Sequence, residues 1–361
     1  MKGAAIWVVA LLVLSTLPIG VAEGKMKVGL VFDIGGRGDL SFNDSAYRGL
    51  EWAQKNLDVK TKYAEPGAGG ADREELLRMM ARFDMDLVFG IGFLFTDAVL
   101  NTARDFPDVT FACIDMVAGP ETHLPPNVIA LTFREEDGSF LAGAMAAMQS
   151  ETGVVGFVGG MDGPLIHKFE AGYYAGAKYA RPEIKVLSAY CGVTGSAFKD
   201  PGKAYELALS QHAHGADVIY HASGASGTGV YKAAKEEGFY VIGVDSNQNH
   251  LGYNPKTGKN WGLTSMEKHV DVAVYLTIKD MVESKRTRQP MPYGGQIRTF
   301  GLADRLTIKG ETYTGVGCAF DQYNEGLVTP EMMERVEEIA QLIIAGEITP
   351  PTTMEAARAI G

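Results

Sequence analysis

The sequence predicts an α/β protein with two domains, each built on a mainly parallel sheet covered by helices on both faces. Three observations predict this class. Apolar segments of strand length alternate with segments of helical periodicity along nearly the whole chain. Most of the strand segments are apolar throughout, as strands buried on both faces are. The alternation falls into two series of similar length, and 361 residues exceed what one small core accommodates.

The first series begins with KVGLVFD, where apolar residues alternate from Val28 to Ile34, and a helix is expected over 42–56. The segments VKTKYAE, DLVFGIG and VTFACID are the next expected strands. Helices are expected between them over 72–82 and 96–104. This order predicts strands joined by helical crossovers, and hence one parallel sheet.

The second series begins with NVIALTF and a helix expected over 137–150. Its further expected strands are GVVGFVGG, IKVLSAY, ADVIYHAS and YVIGVD, and its further expected helices cover 166–180, 202–214 and 229–237. Linkers between the domains are expected near 132–135 and 263–265. The segment MEKHVDVAVYLTIKDMVES is expected to be a helix that returns to the first domain, and the proline-containing tail ITPPTTMEAARAIG is expected on the surface.

Residues 1–22 have the pattern of a secretory signal peptide. Lys2 precedes an apolar run over 4–17, and Gly20-Val21-Ala22 supplies small residues for cleavage after Ala22. An uncleaved membrane anchor is the alternative, but the run is short of the ~20 residues that a span requires. No cysteine lies near the cleavage site, so we expect a periplasmic protein without a lipid anchor.

Composition and cysteine spacing exclude several classes. With 46% hydrophobic and 21% charged residues, the chain is an ordinary globular protein. A net charge of −11 without a lysine- or arginine-rich run argues against nucleic-acid binding. Cys113, Cys191 and Cys318 are far apart and odd in number, so a disulfide framework or zinc site is not expected, although one disulfide stays possible.

No enzyme motif is complete. The loop Gly36-Arg37-Gly38-Asp39-Leu40-Ser41 ends in serine where a dinucleotide fingerprint has glycine, and its aspartate would repel a pyrophosphate. There is no P-loop, and Ser226 lacks the GxSxG frame. We therefore expect no catalytic residues, no cofactor and no metal.

Chemistry-bearing residues stand at the ends of several expected strands. Asp33, Asp115 and Asp245 each follow an apolar segment, and Gly224 follows another. Open α/β sheets bind ligands at the carboxyl ends of their strands. If two sheets face each other across a cleft, these residues converge there.

Five blocks together resemble the basic membrane protein family, the substrate-binding proteins of ABC importers that include purine nucleoside receptors. The blocks are GLVFDIGGRGDLSFNDSAYRGL, GVVGFVGGMDGPLIHKFEAGYYAGAKYA, FKDPGKAYELA, GTGVYKAAKEEGFYVIGVDSNQ and LTSMEKHVDVAVY. The resemblance implies the type I periplasmic-binding-protein fold, with two doubly wound α/β lobes joined by a three-segment hinge. Residues 26–132 plus 264–300 would form the N-terminal lobe, and 133–263 plus 301–361 the C-terminal lobe.

The resemblance also implies a function. The ligand would be a purine nucleoside (adenosine, guanosine or inosine), and the partner an ABC permease in the inner membrane. We expect a monomer that makes and breaks no bond. The alternatives are a receptor for another small polar ligand, such as a sugar or a signalling molecule, and an enzyme that uses the same cleft.

A purine offers two flat faces on which aromatic rings stack. Phe42 and Phe198, each in a polar loop segment, are the expected rings, and Phe169 is a spare candidate whose helical setting favours core packing. The alternative for Phe42 and Phe198 is local packing under the loop.

The polar parts of a nucleoside require donors and acceptors. Asp115, Asn43 and Asp33 are expected near the base, with helix capping as the alternative for the two aspartates. Asp245 is expected to accept from the ribose hydroxyls, with Lys268, placed at a helix start, as its partner. Gly224 would let the backbone approach the ligand, or would simply form a tight turn.

Two features depart from the family pattern. Asn247 stands where relatives usually carry aspartate, which removes a carboxylate near the site entrance or hinge. The cysteine that carries a lipid in many relatives is missing, which implies a receptor free in a periplasm.

Overall fold

The computed structural model describes residues 25–119, 121–308 and 310–360, so the predicted signal peptide lies outside the described residues. Its first sheet has six parallel strands in the order β2-β1-β3-β4-β5-β13. These strands are β1 (Lys27–Val31), β2 (Lys60–Ala64), β3 (Leu87–Ile91), β4 (Thr110–Ile114), β5 (Val128–Phe133) and β13 (Gln296–Phe300).

Helices cover both faces of this sheet. They are α1 (Phe42–Asn56), α2 (Arg73–Arg82), α3 (Thr96–Asp105) and α8 (Val270–Thr287), and α1 packs on α8. Within β1, Leu30 points into one apolar core and Val31 into another, because successive side chains leave a strand on opposite faces. The first lobe is thus doubly wound, as expected.

The second sheet repeats this plan in the order β7-β6-β8-β9-β12-β16, where only β16 runs antiparallel. Its strands are β6 (Val154–Met161), β7 (Lys185–Gly192), β8 (Val218–Ala222), β9 (Tyr240–Asp245), β12 (Gly262–Lys268) and β16 (Val316–Cys318). Its helices are α4 (Glu135–Gln149), α5 (Pro164–Ala180), α6 (Pro201–Ala213), α7 (Gly227–Glu237), α9 (Pro330–Ile344) and α10 (Met354–Ile360). Two hairpins complete the fold: β10 (Tyr253–Asn254) with β11 (Lys259–Asn260), and β14 (Arg305–Ile308) with β15 (Glu311–Thr314).

The chain passes between the sheets three times: after β5, after β12, and between β13 and β16. The two doubly wound lobes and their three-segment hinge confirm the predicted fold class. The second crossing lies later than expected, because residues 262–268 pair with β9 and belong to the second sheet. The boundary between 263 and 264 therefore falls inside β12. Lys268 ends this strand, whereas the sequence analysis placed it at a helix start.

The C-terminal region holds an element that the sequence analysis did not predict. In α9, Met332, Val336, Ile339 and Ile343 recur at helical spacing, are buried, and face α4. The tail beyond it forms α10, which packs on α5 at the surface. Among the described residues, no helix is both long enough and apolar enough for a membrane crossing.

Candidate functional site

A cavity lies between the lobes and is lined by residues of both. It sits at the carboxyl ends of the strands, where the strand order reverses in both sheets. All nine residues predicted for the site line it: Asp33, Phe42, Asn43, Asp115, Phe169, Phe198, Gly224, Asp245 and Lys268. The sequence analysis missed Ile34, Asp39, Gly92, Phe93, Leu165, Ile166, Ala222, Ala225 and Val244.

Asp115 and Asp245 occupy matching positions in the two lobes. Asp115 follows β4 and Asp245 ends β9, each the fourth strand of its lobe along the chain. Both have the left-handed backbone that aspartate adopts rarely, with φ of 56° and 64°. Such strain clusters at ligand sites. Asp115 does not cap the N-terminus of a helix, because the next element after it is the strand β5.

Lys268 lies between these carboxylates. Its Nζ is 2.7 Å from Asp115 Oδ2, 3.8 Å from Asp245 Oδ1 and 4.0 Å from Glu135 Oε1. Burial opposes the charge of Lys268, but the three carboxylates raise its pKa above the ordinary value. Burial in turn raises the pKa of Asp115 to about 6, against the opposing charge of Lys268. A buried cluster of mixed charge therefore forms the floor of the cavity.

The second oxygen of Asp115 has no partner. Its Oδ1 is buried and accepts no hydrogen bond from any described residue. A buried acceptor left without a donor costs about 1–3 kcal/mol. A ligand that brings an N–H or O–H group to this point would remove that cost.

The glycine loop after β1 holds a carboxylate where a dinucleotide enzyme would hold phosphate. Asp39 accepts hydrogen bonds from the backbone nitrogens of Ser41, Asn43 and Asp44, at 3.0, 2.8 and 3.1 Å. Burial raises the pKa of Asp39 to about 6, although these three donors oppose the rise. Asn43 joins the loop to the strand, since its Oδ1 accepts from the nitrogen of Asp33 and its Nδ2 donates to Asp39. The loop thus organises the start of α1 and is not built for an anion.

Aromatic rings reach the cavity from both lobes. Phe42, the first residue of α1, comes from the first lobe, and Phe198, in a short 3₁₀ helix after β7, comes from the second. Phe93 of the first lobe meets Phe198 edge-on, with ring centroids 6.4 Å apart. Phe169 of α5 is nearly fully buried, yet it forms part of the cavity wall. The rings of Phe42 and Phe169 lie 4.8 and 5.3 Å from Lys268 Nζ.

The lobes are held together beside the cavity. Ser41 Oγ donates to Asp245 Oδ2 at 2.7 Å, and Ser246 Oγ donates to the carbonyl oxygen of Ser41 at 3.0 Å. Gln248 Nε2 donates to the carbonyl oxygen of Leu40 at 2.9 Å. These contacts join the α1 start to the loop after β9, and they describe a closed arrangement.

Glu135, Asn247 and the three cysteines do not line the cavity. Glu135, the first residue of α4, is buried against Lys168 and contributes to the charged floor, which the sequence analysis missed. The paired acids at 135–136 directly after a strand were the available signal. Asn247 Nδ2 donates to Asp321, which follows β16 in the second lobe. The three cysteines are free thiols.

Comparison with protein families gives one match along most of the chain. The family model Bmp, described as ABC transporter substrate-binding protein PnrA-like, matches residues 26–306. Basic membrane protein B of Borrelia garinii is 34% identical over 92% of this chain and 89% of that protein. The ABC transporter nucleoside-binding protein BmpA of Lactococcus lactis is 33% identical over 92% of this chain and 91% of its own length.

Solved structures agree in fold. A solute-binding protein of an ABC transporter system from Aeropyrum pernix superposes with a TM-score of 0.75 at 28% identity, covering 92% of this chain and 96% of that one. The myo-inositol-binding protein of Caulobacter, solved with myo-inositol bound, gives a TM-score of 0.60 at 15% identity, covering 86% and 98%. At that identity the likeness extends to the fold alone.

Proposed function

The chain belongs to the Bmp family of PnrA-like ABC transporter substrate-binding proteins, and we propose that the ligand it closes between its lobes is a purine nucleoside. Family and fold are those of solute-binding proteins, not of enzymes. The ligand class is supported by the Lactococcus lactis relative, whose name describes a nucleoside-binding protein. The proposal depends above all on one observation: a cavity between the lobes that is lined by aromatic rings from both of them and by the charged cluster of Asp115, Asp245 and Lys268.

The aromatic part of the cavity suits a purine base. Phe42 approaches from the first lobe and Phe198 from the second, so a flat base between them contacts both lobes at once. Each stacked ring contributes ~1–3 kcal/mol. Asn43 and the free Oδ1 of Asp115 supply polar partners for the edge of the base.

The acidic part suits a ribose. Asp245 is an acceptor for hydroxyl groups, and Lys268, 3.8 Å from it, compensates its negative charge. Gly224, two residues after the end of β8, lines the cavity and has a positive φ of 56°, and without a side chain its backbone can approach a ligand. Four carboxylates and one lysine line the cavity, which favours a neutral ligand with several donors over a phosphorylated one.

Transport follows from closure. A ligand that contacts both lobes stabilises the closed state, because only that state makes both sets of contacts. We propose that the protein is exported by its N-terminal signal and acts as a monomer in the periplasm without a lipid anchor. In its closed, ligand-loaded state it would deliver the nucleoside to an ABC permease.

Calorimetry on ligand-free protein tests the ligand class. Adenosine, guanosine and inosine are titrated beside the free bases, ribose and myo-inositol. We expect binding of nucleosides, a loss of more than tenfold in affinity for Phe42→Ala from lost stacking, and a loss for Asp245→Ala that affects nucleosides but hardly affects free bases. Binding of a sugar without any nucleoside would assign the site to the alternative ligand class. Equal losses for nucleoside and base in Asp245→Ala would remove the ribose role.

A further inference from the structure

A partly buried arginine lies behind one wall of the cavity and contacts Asp33. Arg73 of α2 keeps only 13% of its side chain exposed, and its Nε and Nη2 both donate to Asp33 Oδ1, at 3.1 and 2.5 Å. The backbone nitrogen of Ile34 donates to the same oxygen at 2.7 Å. Three donors therefore occupy Oδ1, while none of the described residues donates to Asp33 Oδ2.

Three glycines make room for this pair. A Cβ at Gly70 would lie 2.5 Å from Arg73 Nη2, and a Cβ at Gly92 would lie 2.7 Å from Asp33 Oδ2. Gly70 also accepts a hydrogen bond from Arg73 Nη1 through its carbonyl oxygen, at 2.8 Å. Both have positive φ, 67° and 111°, so backbone and space together favour glycine.

The third glycine belongs to the other lobe. A Cβ at Gly195, in the loop after β7, would lie 2.8 Å from Ile34 Cδ1 and 4.0 Å from Arg73 Nη2. The Arg73–Asp33 pair is thus covered by the second lobe in the closed arrangement. Closure shields this ion pair from water. An ion pair in such a shielded site is stronger than one on an open surface.

We propose that Arg73 is a positioning residue that orients Asp33 so that Oδ2 accepts a hydrogen bond from the ligand. The inference rests on the proposed function, since it assigns an acceptor to the nucleoside site. Arg73 lines no part of the cavity and acts only through Asp33. A guanidinium suits this task, because its planar fork fixes a carboxylate in two directions where an ammonium fixes it in one.

The ionisation of Asp33 supports this role. Burial raises the pKa of Asp33, and the charge and hydrogen bonds of Arg73 oppose the rise. Loss of Arg73 removes this opposition, so the pKa of Asp33 should rise further, and a protonated carboxyl is a weaker acceptor. Among the described residues, the carboxyl group of Asp33 then keeps only the hydrogen bond from the Ile34 nitrogen, so its orientation is less well fixed.

The test compares two arginines of the same helix. Arg73→Met removes the donors at the cavity, while Arg78→Met removes a surface arginine that pairs with Glu74 and Asp105. Titration calorimetry with inosine, guanosine and adenosine measures affinity, and thermal unfolding measures stability. We expect at least about tenfold weaker binding for Arg73→Met, the scale of one charge-assisted hydrogen bond, and unchanged binding for Arg78→Met. Arg73→Lys, which keeps one charged donor, should bind more tightly than Arg73→Met but more weakly than the wild type. If Arg73→Met does not fold, Arg73→Lys is the variant compared with Arg78→Met.

A double-mutant cycle with Asp33→Asn separates positioning from a general structural role. If Arg73 acts through Asp33, the Arg73 substitution costs little further affinity in the Asp33→Asn background. An equal cost in both backgrounds, or unchanged binding in Arg73→Met, overturns the inference. A wild-type protein that binds none of the three nucleosides overturns the proposed function instead.

Discussion

Lys268 Nζ lies 2.7 Å from Asp115 Oδ2, and this buried ion pair joins the two lobes at the floor of the cavity. The lysine ends a strand of the second sheet, and the aspartate follows a strand of the first. Both side chains are 3% exposed. A buried pair of this kind adds little net stability over an apolar pair, but removal of one partner leaves the other charged and unsolvated.

Lys268→Met should therefore be severe. It leaves Asp115 and Asp245 without their cation, and breaking such a pair costs about 3–5 kcal/mol of unfolding free energy. Denaturant unfolding measures the loss, and calorimetry should find nucleoside binding abolished. Lys285→Met on α8 is the control, since Lys285 pairs with Asp86 at the surface and should cost about 0–1 kcal/mol. Similar losses in both variants would contradict the role given to the buried pair.

The pH dependence follows from the raised pKa of Asp115, about 6 against an ordinary value of 3.8. Between these values the folded protein binds more protons than the unfolded chain. The contribution of this group to the free energy of unfolding therefore falls as pH rises from 3.8 to about 6. The positive charge of Lys268 opposes this rise in the pKa of Asp115, and the negative charges of Glu135 and Asp245 add to it.

Ligand affinity should change in the opposite direction. A nucleoside that donates to Asp115 Oδ1 requires the carboxylate, so its affinity should weaken as pH falls below about 6. Calorimetry from pH 5 to 8 measures this change. Asp115→Asn should bind more weakly at pH 8 and show a flatter profile. A wild-type affinity that is constant across this range would remove Asp115 from the ligand contacts.

The strand ends were the predictable part of the site. An apolar strand that stops at an aspartate or glycine is visible in the sequence, and parallel strands bring such ends to one edge. Arg73 lacks this signal, because it lies on a helix amid other charged residues, and Glu135 is marked only by the pair of acids at 135–136 after a strand. Their position beside the cavity depends on how far each side chain extends and on which lobe covers it. Neither can be predicted from the spacing of residues in the sequence.

The prediction that Lys268 lies at the start of a helix is wrong. The apolar spacing of VDVAVYLTI continues back through Met266, so the helix was expected to begin there. In the structure Met266 pairs with Val244 of β9, and α8 begins only at Val270. The pairing with a neighbouring strand determined the conformation, against the local pattern.

A larger side chain at Gly195 should prevent the two lobes from closing fully. Its Cβ would meet the ends of Ile34 and Leu94 in the other lobe, at 2.8 and 2.9 Å. An alanine could be accommodated by rotation of these flexible side chains, but Gly195→Val should hold the lobes apart and weaken nucleoside binding by about tenfold. Small-angle scattering with saturating nucleoside should show a larger radius of gyration than wild type. Gly163→Val, where a Cβ would meet nothing within 4 Å, should leave both measurements unchanged.

Asn247 and Asp321 form a hydrogen bond within the second lobe that a charged residue at position 247 would break. Asn247 Nδ2 donates to Asp321 Oδ2 at 2.7 Å, so an aspartate at position 247 would face another carboxylate. Asn247→Asp should lower the free energy of unfolding at pH 7 by about 1–3 kcal/mol, through a lost donor and like-charge repulsion. The effect should shrink below pH 4, where the introduced pair takes up a proton.

The exchange of partners completes that experiment. In Asn247→Asp with Asp321→Asn, the amide and the carboxylate trade sides, so the hydrogen bond can form again and most of the lost stability should return. Denaturant unfolding of the two single variants and the double variant measures the coupling. Asn247 does not line the cavity, so it can affect nucleoside affinity only through the stability of the fold. Any affinity lost in the single variant should therefore return in the double variant together with the stability. If the double variant loses as much stability as the two single variants together, the contact between these residues does not stabilise the second lobe.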